Sequence, residues 1–353
     1  MKPAPLRIEP VFVTRIWGAR SLAPLFQEKS NLPEPIGEVW LTSVDCRVGS
    51  GPFAEKTLGA AWAEIASEWR GEQLAATIDF PLLIKFLFPE DKLSIQVHPD
   101  DAYASVNEKE AGGHGKTEMW HAVSAFAGAQ VLVGLKPGID KEKFLEALAQ
   151  NTLESLFEAF PVKTGDTLFV PAGTPHTIGP KMVLCEVQEY SDITYRVYDY
   201  GRVDARGKPR DLHIEKALEV TRFGRPAGDK VIPLSLPADG ATRSLLVACR
   251  YFATERWECS TKCAISVDPA RFELIVILDG AGSLAWPDSA TRYHRGECLL
   301  VPASQGRVDV LPESPTTFLR TFVPDLADLR AELHRGGISA AALAQVIFDS
   351  GNS

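Results

Sequence analysis

The 353-residue sequence has no apolar run long enough to span a membrane. Its first fifteen residues, MKPAPLRIEPVFVTR, lack the continuous apolar region of a secretory signal, and their early prolines would interrupt a transit helix. No cluster of lysine and arginine stands out, and the net charge is −9, which argues against nucleic acid as a partner. We therefore expect a cytoplasmic protein that binds neither a membrane nor nucleic acid.

Regular cysteine spacing is also missing. The six cysteines form neither a disulfide framework nor two paired zinc hooks, and Cys259 and Cys263 are the only close pair. We expect reduced, packed thiols, and the close pair alone is weak evidence for a metal site. The positions are Cys46, Cys185, Cys249, Cys259, Cys263 and Cys298.

Short strand-like segments dominate the sequence. Runs such as LLIKFLF, AQVLVGL, DTLFVPA, MVLCEVQEY, FELIVILDG and CLLVPAS alternate with turn residues, which indicates a mainly β, sandwich or jelly-roll architecture. Apolar spacing predicts a few helices: one over 54–77, one over 140–160 with Asp140 as its N-cap, and a C-terminal pair. The first of that pair carries Leu326, Leu329 and Leu333, and the second begins near Ser339.

An internal repeat predicts two related barrels. GDTLFVPAGTPHTI, from Gly165, aligns without gaps on GECLLVPASQGRVDV, from Gly296. His176 in the first copy falls opposite Arg307 in the second, so we expect a metal site in the N-terminal barrel alone. We predict a metal-binding domain over 1–225, a linker over 226–240 and a second, metal-free barrel with C-terminal helices over 241–353.

Polar residues recur in phase on three segments of the first barrel. Ser94, Gln96 and His98 occupy alternate positions of LSIQVHP and so share one face of a strand. Lys116 and Glu118 share a face in GKTEMWH, and His176 follows a proline-glycine turn. Taken singly, each histidine is more often structural, and Glu118 could be an exposed partner of Lys116. Together they offer one amide, one carboxylate and two imidazoles, a set that suits Zn²⁺ and also Fe²⁺, Mn²⁺ or Co²⁺.

Two further features suggest a ligand cleft. Lys85 interrupts an apolar strand, so its ammonium either reaches water or meets an anion. The segment EVQEYSDITYRVYDYGR is either a solvated edge strand or the lining of a cleft, and its tyrosines and arginines favour the cleft. Three other histidines, His114, His121 and His213, are interpreted as ordinary surface or loop residues, and His114 in the glycine-flanked loop GGHGK could instead belong to a mobile lip.

Several motifs resemble those of the type I mannose-6-phosphate isomerases in their short bacterial form. They are SIQVHP, GKTEMWH, PAGTPHTIG, EVQEYSDITYRVYDYGR and GKPRDLHIEKAL. The resemblance implies cupin barrels and one zinc ion that serves to interconvert mannose 6-phosphate and fructose 6-phosphate. It implies Gln96, His98, Glu118 and His176 as zinc ligands, Arg196 as the catalytic arginine, Lys116 as an active-site residue, and Lys85 and Ser94 as substrate contacts.

Such an isomerase removes the proton beside the carbonyl to form an enediolate and returns it to the neighbouring carbon. Zinc and Arg196 would stabilise the negative charge, with help from Lys116. Three candidates for the base stay open: Glu186, Asp192 and a metal-bound water. Two other functions also compete, an iron-dependent cupin dioxygenase and a sugar-binding regulatory cupin.

Overall fold

The computed structural model describes residues 3–204, 206–224, 230–287 and 289–349. Strands dominate the first half as predicted: β1 (Leu6–Glu9), β2 (Val11–Ala19), β3 (Ile36–Trp40), β4 (Arg47–Val48), β5 (Leu82–Leu87), β6 (Ile95–Val97), β7 (Glu118–Ala125), β8 (Gln130–Leu135), β9 (Phe157–Pro161), β10 (Thr167–Val170), β11 (His176–Ile178), β12 (Met182–Glu189) and β13 (Tyr195–Tyr198). The second half contains β14 (Leu234–Leu236), β15 (Thr242–Ala248), β16 (Ala253–Cys259), β17 (Cys263–Ser266), β18 (Glu273–Asp279), β19 (Ala281–Trp286), β20 (Ser289–His294), β21 (Cys298–Val301), β22 (Arg307–Pro312) and β23 (Thr316–Phe322).

The α-helices are short, and they occur in the segments that connect the strands or follow the last strand. They are α1 (Leu58–Glu64), α2 (Ser67–Arg70), α3 (Asp101–Asn107), α4 (Lys141–Ala149), α5 (Ile214–Val220), α6 (Leu326–Arg335) and α7 (Ala340–Leu343). The chain therefore has the mainly β character that its turn-separated apolar runs predicted.

Each half forms two antiparallel sheets. In the first half a six-stranded sheet runs β10-β7-β12-β5-β3-β2 and a five-stranded sheet runs β13-β6-β11-β8-β9. In the second half an eight-stranded sheet runs β4-β1-β21-β18-β23-β16-β15-β14 and a four-stranded sheet runs β17-β22-β19-β20. The six strands from β10 to β2 in the first half correspond, in the same order, to the six strands from β21 to β14 in the second half. The sequence repeat therefore reflects a repeated fold.

Alternating side chains of β12 show where the cores lie. Val183, Cys185 and Val187 join a large apolar cluster that also contains Leu274 of β18 and Leu319 of β23. The intervening side chains face the interior of the first barrel, where β7, β8 and β10 supply a second apolar cluster. A third cluster fills the second barrel. The two large sheets thus pack back to back, and each barrel keeps its own interior.

The repeat places two glutamates at the same register position. Val170 and Val301 correspond in the repeated sequence; Val170 pairs with Glu118 across β10 and β7, and Val301 pairs with Glu273 across β21 and β18. Both glutamates are fully buried. Each barrel therefore places one carboxylate in its interior at the start of an equivalent strand.

The second barrel neutralises its glutamate with an internal cation. Arg320 Nε donates to Glu273 Oε2 at 2.8 Å, and the same guanidinium lies 3.3 Å from Glu255 Oε2. Glu255 also pairs with Arg243 and accepts from Trp257 Nε1 at 2.9 Å. Burial alone would raise the pKa of Glu255, but the charges of Arg320 and Arg243 bring that pKa below its ordinary value.

The second barrel replaces two polar positions of the first with apolar ones. In the first barrel, buried His176 pairs with Gln96 across β11 and β6. In the second, buried Val308 pairs with Ile265 across β22 and β17. Arg307, which the sequence alignment sets opposite His176, is exposed instead, because the interior face of β22 begins one residue later.

The predicted helix over 54–77 is broken in the structure. Thr57 caps α1 by accepting from the Ala60 amide at 3.2 Å, but Ile65 and Ala66 are extended and separate α1 from α2. The apolar stripe itself is buried, as the spacing predicted, at Leu58, Trp62, Ile65 and Trp69. The periodicity thus identified the buried face correctly and overestimated the length of the helix.

The predicted helix over 140–160 is correct only in its first half. Asp140 is the N-cap, with its carboxylate accepting from the Lys143 amide at 2.9 Å, and α4 ends at Ala149. Phe157–Pro161 instead forms β9 and pairs with β8. A sheet edge available only in the folded protein overrides the local helical pattern here. The C-terminal pair is confirmed as α6 and α7, with Ser339 as the N-cap of α7.

The predicted division at 225–241 stays a prediction. Residues 226–229 of the expected linker lie outside the described part of the chain. Beyond them, the Val231 amide donates to the Thr167 carbonyl at 2.8 Å, and Leu234–Leu236 forms β14. Strands β1 and β4 from the start of the chain belong to the sheet of the second half, so pairing between the halves ties the N-terminal segment to the second barrel.

Replacing Arg320 by leucine should destabilise the second barrel. The variant would leave Glu255 and Glu273 buried without this cation, and breaking a buried ion network in this way typically costs about 3–5 kcal/mol. Urea unfolding followed by far-UV circular dichroism measures the change. The control is Arg330→Leu, which removes a partly exposed ion pair with Asp349 and should cost about 1 kcal/mol or less. Equal unfolding midpoints for the two variants would contradict the assigned role of Arg320.

Candidate active site

Four predicted ligand side chains meet in the first barrel. Gln96 lies on β6, His98 follows it, Glu118 begins β7 and His176 begins β11. His176 Nε2 lies 3.4 Å from Glu118 Oε1, and His98 Nε2 lies 3.7 Å from Glu118 Oε2. His98, Glu118 and His176 each offer one ligand atom, and these three atoms lie within 4.8 Å of one another. Gln96 Nε2 is 3.2 Å from His176 Nε2, and rotating the amide by half a turn presents its oxygen instead.

Backbone carbonyls fix the tautomer of both histidines. His98 Nδ1 lies 2.8 Å from the Ile193 carbonyl, and His176 Nδ1 lies 2.9 Å from the Thr174 carbonyl. A carbonyl only accepts, so each Nδ1 carries the proton and each Nε2, which lies within 3.7 Å of a Glu118 oxygen, keeps its lone pair. Burial lowers the pKa of both rings, that of His176 to about 4, which keeps them neutral as metal ligation requires.

Glu118 supplies the test of whether a metal fits. Its side chain is completely buried, yet neither carboxylate oxygen accepts a hydrogen bond from the described residues. Lys116 Nζ lies 2.7 Å from Glu118 Oε2, so the charge has one cationic neighbour although the hydrogen-bonding angles are poor. Buried carboxylates without hydrogen bonds are rare, and one placed between two imidazole lone pairs suits a divalent ion.

A cavity of about 360 Å³ opens beside these ligands. Its volume is within the range of about 300–1,000 Å³ usual for small-molecule sites. Its wall is strongly polar, and its cations match an anionic ligand. The lining residues are Arg15, Trp17, Glu38, Lys85, Leu87, Leu93, Ser94, Gln96, Lys116, Glu186, Asp192, Thr194, Arg196 and Arg210.

Lys85 meets anions and does not reach out to bulk water. Its side chain is only 2% exposed, and Nζ lies 2.7 Å from Asp192 Oδ1, 3.8 Å from Glu186 Oε1 and 3.9 Å from Glu38 Oε2. Burial alone would lower the pKa of Lys85, but these three carboxylates raise it above its ordinary value. The ammonium therefore stays charged inside the barrel.

Glu186 lies between the two buried lysines. Its Oε1 is 3.8 Å from Lys116 Nζ and 3.8 Å from Lys85 Nζ, and its Oε2 accepts from Trp120 Nε1 at 3.2 Å. Burial raises the pKa of Glu186, although the charges of Lys116 and Lys85 oppose this. A carboxyl group whose pKa is raised can exchange a proton at a pH closer to neutrality.

Arg196 reaches the cavity from the adjacent edge strand. It pairs with Gln96 across β13 and β6, which places it next to a predicted ligand. Its backbone amide donates to His213 Nδ1 at 3.2 Å, and its guanidinium donates to the Asp211 carbonyl at 2.9 Å. These contacts hold the strand while the guanidinium lines the cavity.

Comparison with known proteins agrees with this arrangement. Residues 6–132 match the family model described as phosphomannose isomerase type I, catalytic domain. A mannose-6-phosphate isomerase from Streptococcus mutans is 34% identical over 303 residues, which cover 84% of this chain and 92% of the relative. The mannose-6-phosphate isomerase ManA of Bacillus subtilis is 31% identical over 313 residues, covering 87% and 95%. The chain belongs to the type I phosphomannose isomerases.

Solved structures extend the likeness to three dimensions. A crystal structure of mannose 6-phosphate isomerase from Bacillus subtilis has a TM-score of 0.82 and 30% identity, and covers 90% of this chain and 99% of the other. A phosphomannose isomerase structure from Salmonella typhimurium shares the fold at a TM-score of 0.71 with 15% identity. For this type I phosphomannose isomerase the two predicted cupin barrels are thus confirmed as its fold.

The predicted site residues of this phosphomannose isomerase gather around one cavity. Lys85, Ser94, Lys116, Glu186, Asp192 and Arg196 line it together with Gln96. His98 and Glu118 adjoin it through Lys116 Nζ, which contacts both, and His176 adjoins it through Gln96, whose Nε2 lies 3.2 Å from His176 Nε2. The functional roles given to these residues remain predictions.

Sequence reasoning missed part of the cavity wall. Arg15 and Trp17 come from β2, and Glu38 comes from β3. Arg15 Nε lies 2.9 Å from Glu38 Oε1. Alternation on β2 puts Arg15 and Trp17 on one face, so the signal was present, but the sequence did not show which sheet edge this face would meet. Arg210 was missed as well, because it lies in a loop without periodicity.

One histidine was misjudged. His121 was expected at the surface or in a loop, but it lies buried in β7, on the opposite face from Glu118. Its Nδ1 is 2.9 Å from Thr167 Oγ1, and burial lowers its pKa to about 3. It is a neutral core residue between the packed sheets. All six cysteines are free and buried, as predicted.

Zinc should stabilise this phosphomannose isomerase through Glu118. A ligand that binds only the folded state raises the melting temperature, so Zn²⁺ added to metal-stripped protein should raise it by several degrees. Glu118→Gln should lose most of this increase, because the amide does not provide the anionic ligand. Scanning fluorimetry and elemental analysis of bound zinc measure both effects. Glu142→Gln, on the exposed side of α4, is the matched control and should behave as wild type. An undiminished increase in Glu118→Gln would exclude Glu118 as a ligand.

Proposed function

We propose that this protein interconverts mannose 6-phosphate and fructose 6-phosphate with one Zn²⁺ held by Gln96, His98, Glu118 and His176. The observation that carries the proposal is the buried Glu118 carboxylate, which lies between two neutral imidazoles beside a cavity lined by cations. The relatives named mannose-6-phosphate isomerase support the choice of substrate. Bound zinc would supply Lewis-acid stabilisation of negative charge on the oxygens at C1 and C2.

The protein's own residues would orient the sugar phosphate. Lys85 and Ser94 face the cavity and are proposed to receive the substrate. The Lys85 charge is already offset by carboxylates, so Arg15 and Arg210 at the same cavity would add positive charge for the phosphate dianion. Binding energy from this remote group can hold C1 and C2 in place for reaction.

Glu186 is proposed as the group that moves the proton. It would take the proton from C2 of mannose 6-phosphate to give the enediolate and return it to C1, while the hydroxyl proton moves from O2 to O1. The raised pKa of Glu186 favours such proton exchange. Asp192 is a weaker candidate, because its carboxylate lies 2.7 Å from Lys85 Nζ and, against the effect of burial, the charge of Lys85 lowers its pKa. Arg196 and Lys116 would stabilise the enediolate charge, because both remain cationic.

A cytoplasmic location is also proposed. All six cysteines are unpaired and buried, a state that a reducing compartment maintains. Among the described residues, the structure contains no helix that is long and apolar enough to cross a membrane. A small sugar phosphate is the proposed partner.

Chelation should abolish isomerase activity. Purified protein should convert mannose 6-phosphate in a coupled assay that detects fructose 6-phosphate. Treatment with a strong chelator followed by desalting should reduce this rate to background, because charge stabilisation at C1 and C2 is lost. Adding Zn²⁺ should restore the rate. A mock-treated sample controls for inactivation during desalting. Full activity in protein shown by elemental analysis to be metal-free would refute the zinc mechanism.

Glu186→Gln and Asp192→Asn should separate the two candidate bases. The glutamine can still accept the Trp120 hydrogen bond but cannot take a proton, so kcat should fall by about 10²–10⁴. Asp192→Asn should retain much more activity and mainly raise KM through its effect on Lys85. Steady-state kinetics at matched zinc content decide between them. The reverse ranking of the two kcat values would assign proton transfer to Asp192.

A further inference from the structure

Two neighbouring carboxyl groups, one buried and one about one-third exposed, lie outside the residues that line the cavity. Glu189 ends β12 and is only 5% exposed, and Asp101 begins α3. The two side chains hydrogen-bond to each other. Neither carboxyl group has a role in the chemistry proposed above.

Hydrogen-bond donors identify Asp101 as the ionised member. Its carboxylate accepts from the Gly115 amide at 3.0 Å, from Tyr251 Oη at 2.7 Å and from Arg250 at 2.8 Å. Glu189 Oε1 accepts from the Thr117 amide at 2.6 Å. A hydrogen bond between two carboxyl groups requires one proton, which therefore belongs to Glu189.

The titration of Glu189 agrees with this geometry. Burial, followed by the charge of Asp101, raises the pKa of Glu189 to about 9. The other titratable groups that interact with the pair are Arg250, Tyr251 and the Cys249 thiol, and burial keeps that thiol neutral. Glu189 therefore remains protonated at neutral pH in the folded protein.

The pair holds the backbone that carries two active-site residues. Thr117 lies between Lys116 and Glu118, and its amide and carbonyl both bond to Glu189, the carbonyl by accepting from the Glu189 amide at 3.3 Å. Asp101 accepts a hydrogen bond from the amide of Gly115, the residue before Lys116. Arg250 and Tyr251 lie in the turn between β15 and β16 of the second barrel. The start of β7 is thus connected to the second barrel through one shared proton.

We propose that Glu189 and Asp101 act as a proton-sharing pair that positions Lys116 and Glu118 by anchoring the start of β7 to the second barrel. Glu189 is a positioning residue, since it touches neither the cavity nor the ligands. This role rests on the proposed isomerase function for its effect on activity. Loss of the shared proton would place two carboxylates side by side and displace the Thr117 peptide.

Glu189→Gln and Glu189→Ala test the proposal. Glutamine can accept from Thr117 and donate to Asp101 as protonated Glu189 does, so its kcat at pH 7 should stay near wild type. Alanine removes both bonds, and its kcat should fall at least tenfold with a smaller change in KM, because misplacing catalytic groups by about 1 Å can cost 10²-fold. As pH rises through about 9 the wild type should lose kcat, and Glu189→Gln should not show this loss. An alkaline decline shared by wild type and Glu189→Gln, or full kcat in Glu189→Ala, would overturn the positioning role.

Melting temperature against pH tests the pair without any assay of activity. Glu189 holds its proton up to about pH 9 when folded but releases it near its ordinary value of 4.5 when unfolded. The folded state thus binds more protons in this window, so its stability falls as pH rises from about 4.5 to 9. The melting temperature of Glu189→Gln minus that of wild type should therefore increase over this range. Parallel curves would refute the shared proton, whereas a wild type inactive on mannose 6-phosphate would refute only the proposed function.

Discussion

A buried carboxylate in each barrel must lie close to positive charge, and this constraint shapes both interiors. Glu118 and Glu273 occupy the same register position, and each is removed from water, which makes an uncompensated charge very costly. The second barrel meets the requirement with Arg320, a cation that belongs to the fold. In the first barrel Lys116 Nζ lies 2.7 Å from Glu118 Oε2, yet neither Glu118 oxygen accepts a hydrogen bond from the described residues, and the Nε2 atoms of two neutral imidazoles lie within 3.7 Å of them. One repeated architecture therefore yields a self-neutralised barrel and a barrel suited to a metal.

The same constraint explains why charges cluster around the cavity. Lys85 and Lys116 remain cationic because carboxylates surround them, and Glu186 lies 3.8 Å from each ammonium. Such a network of fixed charges is already oriented before a substrate arrives, which is the condition for electrostatic stabilisation without reorganisation. The pair formed by Glu189 and Asp101 extends the network to the second barrel. The two barrels are thus joined by polar contacts as well as by the apolar core between their sheets.

Local patterns predicted much of the fold and most of the candidate site. Alternation along extended segments placed Gln96 and His98 on one face, and the repeat predicted two barrels of one design. The predictions were wrong where the partner of a segment lies far away in sequence. Residues 157–161 pair with β8 and form an edge strand of their sheet instead of continuing a helix, and His121 is covered by the sheet packed against β7. Local spacing contains no information about which distant surface will cover a residue.

The sequence by itself determined which side chains could act. The family motifs identified the candidate residues, and alternation along each strand showed which of them share a face. Tertiary structure decided which of these groups meet. It brought Glu118 to His98 and His176, surrounded Lys85 with three carboxylates, and placed Glu189 against Asp101. The physical reason is that charge compensation depends on distances of a few ångströms between residues far apart in the chain. Those distances follow from how sheets pack and not from any local pattern.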